Sequence, residues 1–423
     1  MASLAPHKAG WRVLPYVIII IYLSFVCCTK ADGTTRVHGT VVIDGKRYIA
    51  ETDENFVCAT LDWWPADKCD YGTCSWGNSS ILNLDLKNPI LFNAIKGNEL
   101  GGRPILGVAV GANPYVNDTS VLGDVIKEIY KGSRDKPLVI APGGIFEPNW
   151  FSSYIPKMKG ILDVITHHTY PVGSGADTNL MDRILNATAL DEVVEVFSGL
   201  YKILKESRTS TVAWIGESGG VYNSGRDGIT NTFLFSFWYL DSLGIASIYD
   251  TKVYCRQTLV GGNYGLLDTT TFVPNPDYYS ALLWHRLMGK RVLRTRFKGT
   301  KNIRAYTHCA KPSKGITVLL INLDGKTKFH VKLDFNTTYP HSSKLNSEFD
   351  GEKLYREEYH LSPMDGNIQS RTVLLNHKAL IVDSNGTIPA LKPLRVASSK
   401  HVTVHPHTIV FVHIANVSVH ACK

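Results

Sequence analysis

Thr211-Val-Ala-Trp-Ile-Gly-Glu-Ser-Gly-Gly-Val-Tyr-Asn-Ser-Gly-Arg226 is the stretch whose reading decides the fold. Residues 212–215 form a short apolar run with a β-branched and aromatic bias, the pattern of a buried strand. Gly216, Gly219 and Gly220 then release the chain into a loop, and Glu217 stands where the strand stops. In a barrel of parallel strands, chemistry lies at the C-terminal strand ends, because the loops there form the rim of a cup. A carboxylate on a strand end is also aimed more rigidly than one on a loop. A Glu in a glycine-rich turn is the plain alternative, and the flanking chain has to decide.

Working outward, residues 138–288 alternate strands with helices, the signature of a parallel α/β barrel or layer. Strands are expected at 138–141, ending at Pro142-Gly-Gly144, at 164–171, with His167, His168 and Tyr170 towards its end, and at 246–249. Helices are expected at 150–158, 190–206, 231–243 and 277–288. Upstream, 55–61 reads as a strand ending at Asp62-Trp63-Trp64, and 88–96 and 118–131 read as helices. An Asp and two Trp at a strand end suit a sugar, but a capped loop with core Trp residues is the better reading of that segment alone. After Gly289 the texture becomes short strands, at 316–321, 327–333 and 408–413 among others, and forms an antiparallel β domain. The segment 34–50 alternates like a half-exposed strand, with a turn at Asp44-Gly45. The expected organisation is a leader at 1–31, an N-terminal strand at 32–50 that pairs into the β-sandwich, a (β/α) barrel at 51–289 and the sandwich at 290–423.

The bulk properties fit that plan. The 423 residues are 44% hydrophobic and 19% charged, ordinary for a globular chain of this length. The net charge of +8 and fifteen His favour polyanionic partners, more so in acid, without choosing among polysaccharide, nucleic acid and anionic lipid. Lys8 and Arg12 precede an apolar run at 13–28, which reads as a secretory leader, with an uncleaved anchor as the lesser reading. Six sequons fit secretion: Asn78, Asn117, Asn186, Asn336, Asn385 and Asn416. Removing the leader leaves Cys58, Cys69, Cys74, Cys255, Cys309 and Cys422, an even set suited to disulfides whose pairing stays open. No phosphate loop, dinucleotide motif, cofactor motif or metal-ligand spacing is present, and His167 with His168 has no acid at suitable spacing.

Two carboxylates stand out, Glu99 after Asn98 and Glu217 after Gly216. Hydrolysis of a glycosidic bond needs such a pair. One acid protonates the leaving oxygen, one carboxylate attacks the anomeric carbon, and a separation of ~5 Å gives retention. Asn98 is placed to hydrogen-bond a sugar hydroxyl.

Here the chain resembles a family. Asn98-Glu99-Leu100, Leu138-Val-Ile-Ala-Pro-Gly-Gly144, the stretch from Trp214 to Arg226, Phe237-Trp-Tyr-Leu-Asp241 and Tyr254-Cys-Arg-Gln-Thr-Leu-Val-Gly-Gly-Asn-Tyr264 look like the plant heparanase-like proteins, secreted glycoside hydrolases of β-glucuronidase type. The resemblance implies a (β/α)8 TIM-type barrel with a C-terminal antiparallel β-sandwich. It implies Glu99 as acid/base and Glu217 as nucleophile. It places Asp62, Asn98, Gln257, Gly262 and Tyr264 around the glucuronate subsite. His168 and Tyr170, at a strand end, are read from the residues themselves as hydrogen-bonding the nucleophile or the substrate. The implied partner is a uronate-bearing polysaccharide or proteoglycan glycan rather than nucleic acid. Peripheral association with a membrane surface is compatible with the charge, and oligomeric state is left open. The implied location is the extracellular space or cell wall, with a lysosome-like or vacuolar compartment as the alternative.

One departure matters. A strand and its helix take about 30 residues in such a barrel. Three units should separate Asp62 from Glu99, and 36 residues do. The second and third units do not fit, and the junction falls before Gly97. The competing functions are therefore a retaining glycosidase and a catalytically impaired, glycan-binding or inert secreted variant.

Overall fold

The apolar run before Glu217 does form a strand, with parallel neighbours on both sides. The computed structural model describes residues 35–62, 69, 74–77, 79–80, 83–85, 87–95, 116–132, 136–336 and 354–423. In chain order these give β1 (Thr35–Glu51), β2 (Val57–Ala59), helices α1 (Pro89–Ile95) and α2 (Val116–Ile129), then β3 (Ile140–Ile145), α3 (Pro148–Lys157) and β4 (Val164–His168). A two-residue β5 (Gly173–Ser174) precedes α4 (Leu180–Leu185), α5 (Ala187–Asp191) and α6 (Val193–Ser207). Next come β6 (Val212–Ser218), β7 (Val221–Tyr222), α7 (Phe235–Ile248), β8 (Val253–Arg256) and α8 (Pro276–Leu287). The remainder is strand: β9 (Met288–Lys298), β10 (Ile303–Ala310), β11 (Ile316–Asn322), β12 (Thr327–Asn336), β13 (Tyr355–Pro363), β14 (Val373–Leu375), β15 (Lys378–Ala379), β16 (Leu394–Ala397), β17 (Val402–Val404) and β18 (Ile409–Ile414).

Two large sheets, and a small one in which β5 pairs with β7, organise the described residues. The first is parallel, in the order β2-β8-β6-β4-β3, with β2 and β3 at its edges. The second has eleven strands, β15-β14-β13-β18-β11-β10-β9-β1-β12-β17, with β16 beside β13. Strand β1 runs antiparallel to β9, so a segment from the start of the chain lies inside the C-terminal sheet. This sheet closes over a core that includes Val41, Ile43, Leu293, Val318, Leu320, Val331, Val402 and Val412. The opposite face of β10, β11 and β18 packs on α7 and α8 through Tyr306, Leu319, Ile321 and Phe411. An ion pair locks that junction: Arg304 on β10 donates to Asp241 of α7 at 2.7 Å and to Asp191 of α5 at 2.6 Å.

The local chemistry explains the boundaries. Helix α3 begins where Glu147 accepts from the amides of Asn149 and Trp150, with Pro148 in the first turn. The strand expected to stop at Pro142 instead continues to Ile145, and the extra residue at Pro142 and Gly143 is absorbed as a bulge against β4. The turn expected at Asp44-Gly45 is likewise a register shift within the continuous β1. The strand expected at 246–249 is not there. Helix α7 runs to Ile248 and is buried around its whole circumference, so its sequence carries no helical stripe to separate it from a strand. The strand lies at Val253–Arg256 instead.

Three disulfides join Cys58 to Cys255, Cys69 to Cys74 and Cys309 to Cys422. The first links directly opposed residues of β2 and β8. That placement binds an edge strand of three residues to the sheet. The expected leader at 1–31 lies outside the described residues.

Candidate active site

Glu217 is the last residue but one of β6, directly opposite His168 on β4. The ladder skips Gly216 between Ile215 and Glu217, so a bulge turns the carboxylate towards His168. A Cβ at Gly216 would stand 3.2 Å from Thr166, tighter than side chains ordinarily pack. The Tyr170 hydroxyl donates to Glu217 Oε1, and His168 Nδ1 lies 3.7 Å from the same oxygen. The Glu217 side chain keeps 28% of its exposure, so one flank is fixed while the other stays open to a reactant. Gly219 is needed by close approach: a Cβ there would stand 2.6 Å from the Tyr170 ring. Behind the carboxylate, Ser218 Oγ donates to Thr169 O at 2.9 Å and accepts from Tyr254 OH at 2.8 Å. The strand end is thus pinned from below.

A second cluster forms around Gln257, just past the end of β8. Gln257 Nε2 donates to Asp62 Oδ2 at 2.7 Å, and its Oε1 accepts from Thr60 Oγ1. Tyr264 hydrogen-bonds Gln257 as well. Gly262 adopts φ +60°, and a Cβ there would stand 3.0 Å from Ser224 O. That packing holds the 261–264 loop against the loop after β7. The two clusters share one space. Burial first, then the charge of Glu217, hold the Tyr170 phenol far above its ordinary pKa, and Asp62 adds to this. Burial, Asp62 and Glu217 raise Tyr264 too, against its bond to Gln257. Both phenols therefore stay protonated and able to donate.

Sequence reasoning missed the group that holds this loop. Arg256 is fully buried, with its guanidinium 5.1 Å from the rings of Phe235 and Trp238 and 5.3 Å from Tyr239. It donates to the carbonyls of Gln257 and Tyr264, the latter at 2.7 Å, and pairs with Asp277 at 3.0 Å. Burial pushes the Asp277 carboxyl up to about 6, against the pull of Arg256. Asp277 in the first turn of a helix whose next seven residues are aromatic, small or aliphatic was the available signal, since a buried acid demands a cation. Beside Glu217, a groove of about 450 Å³ runs past Ile145, His168, Tyr170, Glu192 and Tyr222. His167, next to His168, points the other way, into the core. It is fully buried between Phe146 and Phe197, and burial lowers its pKa to about 3.

Asn98 and Glu99 lie outside the described residues, as do Trp63, Trp64 and Asn78. The side chains of Asn117 and Asn336 are also outside them. Asn186, Asn385 and Asn416 are exposed, and Asn186 caps α5 by accepting from Thr188 N and Ala189 N.

Comparison with known proteins follows the same residues. The chain matches the glycosyl hydrolase family 79 N-terminal domain in two blocks, residues 38–97 and 96–244. It is 40% identical to heparanase-like protein 3 of Arabidopsis thaliana over 532 residues of alignment, covering 97% of this chain and 99% of the relative. It is 37% identical to baicalin-β-D-glucuronidase of Scutellaria baicalensis, covering 94% of this chain and 95% of the relative. Among solved structures, the GH51 arabinofuranosidase of Xanthomonas axonopodis pv. citri overlays with a TM-score of 0.51 at 15% identity, covering 71% of this chain and 63% of that one. That likeness is one of fold alone, the TIM-barrel fold of glycosidases. With near full-length identity to these relatives, the chain belongs to glycosyl hydrolase family 79, a family of glycosidases that hydrolyse O-glycosyl bonds.

Proposed function

We propose that this chain is a retaining glycoside hydrolase that cleaves glucuronate-containing glycans of proteoglycans or the cell wall, with Glu217 as nucleophile and Glu99 as acid/base. The observation that carries the reading is Glu217 itself: a carboxylate on a strand end, one oxygen held by Tyr170 and approached by His168, the other side open. In the first step a Glu217 oxygen attacks the anomeric carbon as the acid protonates the departing oxygen, and the C–O bond to the leaving group breaks. In the second step water attacks the glycosyl-enzyme ester, the same acid/base takes its proton, and Glu217 leaves as the carboxylate. The Tyr170 donor steadies the ionised nucleophile. Asp62, Gln257, Gly262 and Tyr264 would surround the uronate, Asp62 accepting from its hydroxyls. The leader at 1–31, the exposed sequons at Asn186, Asn385 and Asn416 and the three disulfides support a secreted protein of an oxidising compartment.

A second reading is favoured by specific observations. The alignment with heparanase-like protein 3 runs over 532 residues against 423 in this chain, so more than a hundred aligned positions have no residue here. The family match breaks at 96–97, where the second and third barrel units would stand. The barrel of this chain is then incomplete, and among the described residues no strand pairs with the outer edges of β2 and β3, where those units would stand. A misplacement of the acid/base by about 1 Å costs roughly 100-fold. On this reading the protein is a glycan-binding or inert secreted member of the family.

The deciding experiment is intact mass after exposure to a mechanism-based, glucuronate-configured covalent inhibitor, for the parent and Glu217→Gln. One adduct on the parent and none on the variant supports the nucleophile assignment. No adduct on a parent that still unfolds cooperatively rejects catalysis and leaves the second reading.

A further inference from the structure

Lys and Arg are scattered along the sequence, but the fold gathers them. Strands β9, β1, β12 and β17 lie side by side, and every second residue points away from the sandwich core. His38 of β1 and His330 of β12 have ring centroids 5.6 Å apart, and His401, just before β17, lies 5.6 Å from His38. Arg36 on β1 and Lys328 on β12 flank the three rings. Both act on His330 electrostatically, together with His38 and His401. Thr403 Oγ1 lies 3.4 Å from His330 Nδ1. Further along the same face, Lys298 stands opposite Thr40 and Arg296 opposite Val42 across the β9–β1 ladder. Lys332 is exposed on β12, and Lys400 is exposed beside His401. The acids on these strands are Asp44, opposite Arg294, Glu51 at the end of β1 away from His38, opposite Arg291, and Asp334 at the far end of β12.

We propose that this sheet face is a second binding surface, separate from the groove at Glu217, for a carboxylate- or sulfate-bearing polysaccharide, and that it engages as pH falls. Along a strand, same-face residues recur at ~6.7 Å, and neighbouring strands lie ~4.8 Å apart. The cations therefore form a grid on the scale of the anionic groups along a uronan. The grid carries hydroxyls such as Thr40 and Thr403 rather than an apolar wedge, which suits a hydrated linear polyanion better than a bilayer. His38, Arg36, His401 and Lys328 all oppose the charging of the His330 imidazole. Burial and these neighbours hold His330 below its ordinary value. A polyanion laid across the rings reverses the balance, so ligand and protons bind together.

The test is elution from heparin-agarose in a salt gradient at pH 7.5 and pH 5.0, in a Glu217→Gln background so that nothing is turned over. The parent elutes at higher salt at pH 5.0. The dependence of log affinity on log salt steepens by ~2, as added charges release more counterions. The triple variant His38→Asn/His330→Asn/His401→Asn keeps its elution at pH 7.5 and loses the step. Arg36→Ser/Lys328→Ser elutes earlier at both pH values. Both sets of side chains lie on the outer face, so unfolding free energies from urea stay within ~0.5 kcal/mol of the parent. The proposal is overturned if the parent shows no step or if the triple variant keeps it. It is also overturned if phosphatidylglycerol vesicles, rather than heparin, capture the parent in a histidine-dependent way.

Discussion

Replacing Arg256 by Met tests whether the buried cation holds the 257–264 loop or merely fills space. Met is close in length and apolar, so the aromatic cage of Phe235, Trp238 and Tyr239 keeps a side chain to pack on. The change removes the partner of Asp277, a fully buried carboxylate already pushed up to about 6. Removing one member of a buried ion pair costs ~3–5 kcal/mol, because the other is stranded. The carbonyls of Gln257 and Tyr264 lose their charged donor within the same total. Against a whole-domain stability of ~5–15 kcal/mol, that is a large shift of the urea midpoint at pH 7.5. Adding Asp277→Asn removes the stranded charge, and the double variant should recover at least ~2 kcal/mol. Labelling by the covalent inhibitor should stay slow in both variants, since the loop carrying Gln257 and Tyr264 remains untethered. A single variant that loses less than ~1 kcal/mol, or a double variant no more stable than the single, would refute the reasoning. The pH dependence gives an independent check. Asp277 has a folded pKa above its unfolded value, so its contribution to stability is fully present below pH ~4 and is lost as pH rises through about 6. Asp277→Asn in the parent removes that downward slope between pH 4 and 6.

If Glu217 is the nucleophile proposed above, Tyr170→Phe should lower kcat/KM ~10–150-fold by removing one hydrogen bond to its carboxylate, with the unfolding midpoint nearly unchanged; equal losses in both would assign Tyr170 a packing role only. Cys58→Ser/Cys255→Ser opens a link between residues 197 apart in sequence and should cost ~3–5 kcal/mol by loop entropy, read as a urea midpoint under oxidising conditions. His167→Phe should make the protein more resistant to acid. The buried imidazole has a folded pKa of about 3, below its unfolded value, so its contribution is present above pH ~6.5 and is lost as pH falls towards 3. A pH titration of stability in which the variant and parent run parallel over that window would exclude His167 as a source of acid lability.

Parts of this architecture were legible because the relevant signals are local. The run before Glu217 is short, apolar and cut by glycine, and it forms β6. The alternating 34–50 segment forms β1, although its Asp44-Gly45 pair makes a bulge rather than a turn. Elsewhere the local signal is absent. Residues 235–247 are buried on every side, so the periodicity that distinguishes helix from strand vanishes and the end of α7 reads as β. The contacts that assemble the site run between distant segments. Asp62 meets Gln257 across 195 residues, and the Cys58–Cys255 pairing follows from β2 lying beside β8 rather than from spacing. Arg256 was hidden for the same reason: its partner is 21 residues away, and its cage comes from α7. Asn98 and Glu99 were conspicuous as a dipeptide, yet no described element carries them.

The position of β1 between β9 and β12 bears on how the chain is made. This strand emerges from the ribosome early, while its first partner begins only at Met288. At ~5–20 residues per second, the roughly 240 intervening residues take about 10–50 s to synthesise. Throughout that interval a 17-residue strand has neither edge paired, a state that invites association with other nascent chains. The parallel sheet can form in the meantime, but the sandwich cannot close until both ends of the polypeptide are in hand. Folding of the second half must therefore wait for the last strands, and its yield should depend on a chaperone that holds β1 until they arrive.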